Sequence, residues 1–534
     1  MSSGTGERLA TGGPPGTTAA GDAPAPSRSR LWLLFTALAL ALLLSELDQT
    51  LFATALPTVV GELSGVGDML WVNTASLLTG TVALPVYGKL SDLLGRKPVL
   101  ITGMLVFVAG SVLGGLSTDM GTLIAARAVQ GLGGGGLIVL VQSVVADTVP
   151  ARERAPYLSA IGAVFALSAV AGPVVGGWLT EGVGWRWAFW VNLPLGGLAV
   201  VAVALLLHEP PRREERVRLD VAGTTTLAVA VTALVLLVSE GGTRLPWTSP
   251  AALGLAALAA AAAVVFVLVE RRAAEPLIPL GLFRDRTFTA AVVAGLVMAV
   301  AMFGTLGYLP TYLQMAVGLG PTAAGMAMLT LVAGLAVSTV GAAQLVRRTG
   351  RTKLLPLAGT ALVAAALGLL ATLTPATPLP LAGLYLLLLG LGIGCAWEVL
   401  VVVVQNTAPD AALGTATATN SFAREIGVTL GSALVGALFT ARLGALLAER
   451  VPATDGVDVA TLTPALAAGL PPAVRDAVAG AYNDALTPVF ALLVPVVLAS
   501  TVLLLLVREV PLATAAGDPD HGPVRGDPAG QRLE

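Results

Sequence analysis

Apolar runs of about twenty residues recur from Leu31 almost to the C-terminus, each bounded by a short polar or basic stretch. A helix needs about 20 apolar residues to cross roughly 30 Å of hydrocarbon. The pattern predicts about fourteen transmembrane helices, over residues 31–60, 71–90, 99–116, 123–145, 158–180, 187–207 and 221–238, then 251–269, 288–313, 323–345, 354–373, 381–404, 416–443 and 488–507. The run from Leu31 is too long for a signal-peptide core and is followed by no small-residue cleavage site with a soluble continuation, so it is expected to stay in the membrane.

Composition agrees with the pattern. Hydrophobic residues make up 55% of the chain and charged residues 12%, against about 25% charged in a soluble domain; the mean hydropathy is +0.85. A formal net charge of −2 argues against nucleic acid as a partner. The single cysteine, Cys395, lies inside an apolar run with no disulfide partner and no companion metal ligands, and His208 and His521 do not pair, so no metal and no cofactor are expected.

The placement of charge matters more than its sum. With the N-terminus inside, 23 of the 30 Lys and Arg residues fall in cytoplasmic segments, five fall outside, and Arg127 and Arg424 lie within helices. Positive residues are retained on the cytoplasmic side during insertion, so both termini are expected there. Residues 1–30 and 508–534 read as disordered cytoplasmic tails. Between them lie a six-helix half (31–207), a linker with two additional helices (208–287), and a second six-helix half (288–507) that carries a long external loop at 444–487. That segment reads as either a short amphipathic cap or a loose loop, with the cap favoured because Ala, Leu and Val recur in it.

After the second span comes Gly88-Lys89-Leu90-Ser91-Asp92-Leu93-Leu94-Gly95-Arg96-Lys97. A basic loop obeying the charge rule accounts for Lys89, Arg96 and Lys97 but not for Asp92 or the two glycines. The stretch resembles the signature loop of the major facilitator superfamily. The resemblance implies that Gly88 and Gly95 permit close helix approach, and that Asp92 and Arg96, with Lys97, form a charge network latching two halves together on the cytoplasmic side. A weaker copy, Leu345 to Arg351, aligns Gly350 with Gly95 and Arg351 with Arg96, but Arg347 stands in place of the acid. Such duplication is expected of two related transporter halves.

Further stretches are similar to the fourteen-span drug:proton antiporters of that superfamily: Leu47 to Pro57 around Asp48, Arg127 to Gly133, Ala171 to Gly177, and Trp185 to Pro194. In that family two additional helices sit between the six-helix halves. The stretch with Gly172, Pro173, Gly176 and Gly177 resembles the motif that distinguishes antiporters from importers. The implied fold is all-α and integral to the membrane, with two six-helix halves around a central cavity plus two central helices. Glu46, Glu398 and Glu425 depart from the family pattern, which often has neutral residues there, and Ser76 stands where an aromatic is common.

An ionised side chain at mid-membrane costs about 2.5–3.5 kcal/mol on insertion scales, so such residues face a cavity or a partner. The candidates for proton coupling are Asp48, Arg127, Glu46, Glu398, Glu425 and Arg424. Asp48 is the favoured proton carrier, since burial and a nearby cation such as Arg127 act on a carboxylate in opposite senses. Glu46 lies about 200° around the helix from Asp48 and cannot share its face. Gly172-Pro173 suits a bend or pivot. Gly131 to Gly136 is glycine-rich but lies within an apolar span without the strand and helix of a nucleotide site, so the chain is not read as an enzyme.

Together these imply a proton-coupled efflux transporter of the multidrug, antibiotic-resistance type in the plasma (inner) membrane, exporting hydrophobic or amphipathic small molecules. Its expected partners are that substrate, protons and membrane lipid, and it is expected to act as a monomer. A dedicated exporter of one endogenous metabolite or lipid uses the same machinery. A nutrient importer is disfavoured by the Gly172-Pro173 motif, and a non-transporting sensor by the joint presence of Asp48, Asp92 and Arg127.

Overall fold

The computed structural model describes residues 28–63, 68–207, 220–242, 245–451, 469–505 and 509; the expected tails lie almost wholly outside these residues. In hydrocarbon every backbone polar group must be satisfied within the segment, which leaves the helix as the form for such runs. The first half contains α1 (Arg28–Glu62), α2 (Met69–Leu94), α3 (Arg96–Gly115), α4 (Met120–Gly134), α5 (Leu137–Thr148), α6 (Arg154–Gly182), α7 (Trp187–Trp190) and α8 (Asn192–Leu206). Then come α9 (Val221–Glu240) and α10 (Pro250–Glu270). The second half contains α11 (Arg286–Leu306), α12 (Leu309–Met315), α13 (Pro321–Thr349), α14 (Leu354–Leu370), α15 (Leu379–Thr407), α16 (Leu413–Arg450) and α17 (Pro472–Leu505).

Among the described residues, eleven stretches are long and apolar enough to cross a membrane, and α14 is apolar but shorter. The other two expected spans, 71–90 and 158–180, fall on α2 and α6. Three expected spans are divided: residues 123–145 into α4 and α5 at Gly135-Gly136, residues 187–207 into α7 and α8 at Val191, and residues 288–313 into α11 and α12 at Gly307-Tyr308.

Within the stretch 444–487 expected as an external loop, α16 runs on to Arg450 and α17 begins at Pro472, with Arg450 paired to Asp484 at 2.8 Å. The centre of the proposed cap lies outside the described residues.

Within the halves, α1 packs on α6 and α8, α4 on α2 and α3, α13 and α14 on α15, and α11 on α16. Small residues set these approaches. In α16, Gly427 and Gly431 are so close to α11 that a Cβ would meet the carbonyl oxygens of Leu296 and Val300 at 2.5 and 2.3 Å. The α9–α10 pair lies over the seam between the halves, where Leu227, Val231 and Val235 meet Leu78, Val82 and Val86 of α2 and Phe422 and Ile426 of α16. Beyond α10, the Glu270 carboxylate accepts the N–H groups of Leu277 and Ile278, a turn that brings Glu275 within 2.5 Å of Lys89.

The halves meet at the end of the bundle that bears the Gly88–Lys97 loop. There Ser159 Oγ donates to the Thr339 carbonyl at 3.2 Å and Gln405 Nε2 to the Gln142 carbonyl at 3.1 Å. Toward the other end, Gly177 of α6 and Gly325 of α13 have open space where a Cβ would lie, with no neighbour within 4 Å.

Candidate functional site

Asp48 is 3% exposed at mid-length in α1, and Arg127 is fully buried in α4. The start of α4 is fixed by Asp119, whose carboxylate accepts the Thr122 N–H at 2.9 Å in a capping box. That bond, with lesser help from the Thr122 and Thr118 hydroxyls, holds the exposed Asp119 carboxyl below its usual range. One turn further in, Arg127 Nη1 donates to Asp48 Oδ2 and, at 3.0 Å, to Gln130 Oε1. The other carboxylate oxygen, Oδ1, accepts from Gln130 Nε2 at 3.0 Å and Asn192 Nδ2 at 2.9 Å, and both amides also donate to Ser111 Oγ.

The carboxylate is thus matched to one cation and two amides, and the guanidinium lies 5.0 Å from the Phe52 ring centre. Gln49 sits on the open side of this network. It is exposed, accepts from Arg127 Nη2 at 3.2 Å and donates to Ser76 Oγ at 3.1 Å.

The glycine-rich run is close packing. A Cβ on Gly131 would lie 2.2 Å from the Ser76 carbonyl oxygen, one on Gly133 2.2 Å from the Phe107 nitrogen, and one on Gly135 2.2 Å from the Gly80 Cα. α4 is pressed against α2 and α3, and Arg127 and Gln130 are carried to Asp48.

In the motif loop, Gly95 takes a φ of +103° between α2 and α3, a conformation that L side chains rarely adopt. Asp92 Oδ1 accepts from Arg96 Nη1 at 2.6 Å and the Gly414 N–H at 2.9 Å; Oδ2 accepts the Thr415 N–H at 2.6 Å and its hydroxyl at 2.5 Å. An acid of the first half therefore caps the N-terminus of α16 in the second. Gly88 allows this approach, since a Cβ there would lie 2.2 Å from that of Ala418. Arg96 also binds Asp147 at 2.9 Å, while Lys97 donates to the Ala204 carbonyl at 2.6 Å within its own half.

The weak copy is latched with the signs reversed. Gly350, at a φ of +67°, ends α13, and Arg152 of the first half donates to the carbonyls of Arg347 and Arg348 at 3.0 and 2.8 Å. A cation at a helix C-terminus complements the anion at the other helix's N-terminus. The acid missing at Arg347 is not needed there, because main-chain carbonyls take its place.

α6 is continuous over Arg154–Gly182, through the Gly172-Pro173 stretch expected to suit a bend or pivot. Gly172 instead sits on α1, where its Cβ would collide with Thr50 Oγ1, which itself donates to the Ser168 carbonyl at 3.0 Å. Gly176 is buried, with its carbonyl accepting from Thr180, and Gly177 faces open space.

The remaining candidates do not join Asp48. Glu46 and Glu425 are both partly buried, on α1 of the first half and α16 of the second. Glu398, 5% exposed, has one oxygen without a protein partner. Arg424 donates to the Trp397 carbonyl and stacks 4.2 Å from the centre of that ring, rather than pairing with Glu398 or Glu425. Ser111 and Gln49 were missed in the sequence as partners, though amides and hydroxyls inside apolar spans are the signal that finds them. Among the described residues, no group of three or more His, Cys, Asp or Glu is placed to hold a metal.

The Major Facilitator Superfamily model matches residues 38–432. A Mycobacterium tuberculosis protein named uncharacterized MFS-type transporter Rv1877 is 41% identical over 497 residues, covering 93% of this chain and 72% of its own length. Bacillus subtilis multidrug transporter protein MdtP is 36% identical over 431 residues, covering 80% of this chain and 79% of its own. Among solved structures, the human organic anion transporter MFSD10 aligns with a TM-score of 0.59 at 16% identity, over 90% of this chain and all of its own, a likeness of fold.

Proposed function

Starting from a chain that belongs to the major facilitator superfamily of membrane transporters, we propose that it exports hydrophobic or amphipathic small molecules in exchange for protons, with the motif-loop end cytoplasmic and the bundle in the plasma membrane. The observation that carries the reading is the Asp48 network: a buried carboxylate, matched to Arg127, Gln130 and Asn192, with the exposed Gln49 beside it.

Protonating Asp48 removes the charge that holds Arg127, so the neutral acid and the ion pair favour different packings of α1 on α4. One proton moving down 100 mV supplies about 2.3 kcal/mol, a bias of roughly fiftyfold on substrate release. Asp92 and Arg152 hold the cytoplasmic end shut while the cavity faces outward. Relatives named multidrug transporter and multidrug resistance protein support a broad substrate range. Glu46, Glu425, Glu398 and Arg424 would shape the charge of the cavity rather than carry the first proton.

The test is proton release from acid-loaded inverted vesicles, with and without lipophilic cations, for the intact chain and Asp48→Asn. Substrate-dependent release that Asp48→Asn abolishes is expected. Release that persists in the variant overturns the assignment of Asp48, and release evoked by a single compound among many would mark a dedicated exporter.

A further inference from the structure

The second half holds a row of polar side chains that the exchange described above leaves unused. On α16, Thr417, Asn420 and Arg424 follow one another at the spacing that places them on one face. On α15, Glu398 and Gln405 are seven residues apart and also share a face. Each row spans about 10 Å of helix, and the two rows face each other. Gln405 Nε2 reaches Thr417 Oγ1 at 3.4 Å at one end, and Arg424 donates to the carbonyl of Trp397, the residue before Glu398, at the other. The Gln405 end adjoins the first half, where the same Nε2 donates to the Gln142 carbonyl and Ser143 follows in sequence.

These groups are buried and incompletely bonded. Asn420 is fully buried, and neither its amide nitrogen nor its oxygen has a protein partner. The same holds for Glu398 Oε2, Arg424 Nε, Gln405 Oε1, Gln142 Oε1 and Ser143 Oγ, all on residues at most 6% exposed. A Cβ on Gly295 of α11 would lie 3.3 Å from both Asn420 Oδ1 and Arg424 Nε, which sets an acceptor beside a donor against a residue with no side chain.

A buried group without a partner costs about 1–3 kcal/mol. Native proteins hold few of these, and such a concentration calls for an explanation. The row offers both acceptors and donors, which suits a molecule that both gives and takes hydrogen bonds; buried water takes about three such partners. At hydrogen-bond spacing, about three or four waters cover 10 Å.

We propose that this ladder binds a chain of ordered waters that carries protons between Glu398 and the solvent at the motif-loop end of the seam. The proposal rests on the proton-exchange reading and adds a second, oppositely connected carboxylate to it. In the step, the O–H bond of the Glu398 carboxylic acid breaks and its proton forms a bond to the first water. Each water passes a proton on in turn, and the last is released to solvent. Glu398 is left as a carboxylate facing Arg424, and the reverse sequence reloads it.

The charged surroundings are simple. Of the helices packed on α15, α6, α11, α13 and α14 carry charged residues only at or near their ends or none at all, while α16 supplies Arg424 and, one position on, Glu425. In the same conformation Asp48 adjoins the open end through the exposed Gln49. The two carboxylates thus sample opposite sides.

The test needs no transported substrate. The full chain is placed in phosphatidylcholine vesicles in one known orientation, and the carboxylic C=O infrared band lost in Glu398→Gln is followed while the pH on each side is changed separately. The band is expected to follow the pH on the motif-loop side, and its response to slow by about tenfold or more in Asn420→Leu and in Gln405→Leu. Asn420→Ser, which keeps a donor and an acceptor, is expected to respond at close to the original rate. A band that follows the open side, one that is indifferent to both Leu variants, or one that does not titrate between roughly pH 4 and 10 overturns the proposal. Loss of substrate-driven proton release in vesicles, with the band behaving as expected, counts against the antiport reading and leaves the ladder standing.

Discussion

The two halves bury charge in opposite ways. Around Asp48 both carboxylate oxygens are taken up by Arg127, Gln130 and Asn192, and the amides share Ser111. Around Glu398 and Arg424 an acid and a base lie near each other unpaired, with a doubly unpartnered Asn420 beside them. A saturated network is rigid and has one stable arrangement for each protonation state, whereas an unsaturated one depends on solvent or on another conformation for completion. Relatedness of fold therefore does not make the halves equivalent in chemistry.

Exchanging one amide in each half for leucine separates the two cases most widely. Gln130→Leu strips Asp48 and Arg127 of a partner each and is expected to destabilise the chain by about 2–4 kcal/mol. Asn420→Leu removes two unpartnered groups and is expected to leave stability within about 1 kcal/mol or raise it. Thermal unfolding in detergent, followed by tryptophan fluorescence, measures both; equal losses would erase the contrast.

The latches provide the next comparison. Asp92→Ala removes the cap of α16 together with a partner of Arg96 and is expected to shift the balance toward opening at the motif-loop end by about 2 kcal/mol, and Arg152→Ala, more exposed, by less than about 1 kcal/mol. Labelling of a cysteine placed at Thr339, beside the closed seam, reports the opening.

The smallest effect is expected at the outer end. The Arg186 guanidinium, followed by the Trp185 indole, holds the Glu62 carboxyl below its usual range. A lowered native value means that this stabilisation is present above the unfolded value and is lost as the pH falls through the native one. Glu62→Gln is expected to lower stability slightly at neutral pH and to make little difference at pH below the native value, which flattens the acid side of the profile, as unfolding measured from acid to neutral pH shows directly.

Much of this was legible from the sequence. Hydropathy locates the spans because a bilayer admits few alternatives to an apolar helix, and buried charges stand out against such a background, so Asp48 and Arg127 could be named before their contact was known. The continuation of α16 to Arg450 was not legible, because an Ala- and Leu-rich stretch beyond the length of one span reads equally well as a cap. Nor was the ladder: Asn420 and Gln405 announce polarity, but the lack of partners is a property of three-dimensional packing alone. The reversal at Arg347 was hidden for a different reason. A main-chain carbonyl can answer Arg152 whatever side chain that position carries.

That last point reaches beyond this chain. Because Asp92 and Arg152 grip mainly amide and carbonyl groups of the opposite half, the closure makes few demands on side-chain identity across the seam. Second halves borrowed from related transporters should therefore still shut against this first half, and the lining of the cavity is free to diversify during evolution without relearning how to close.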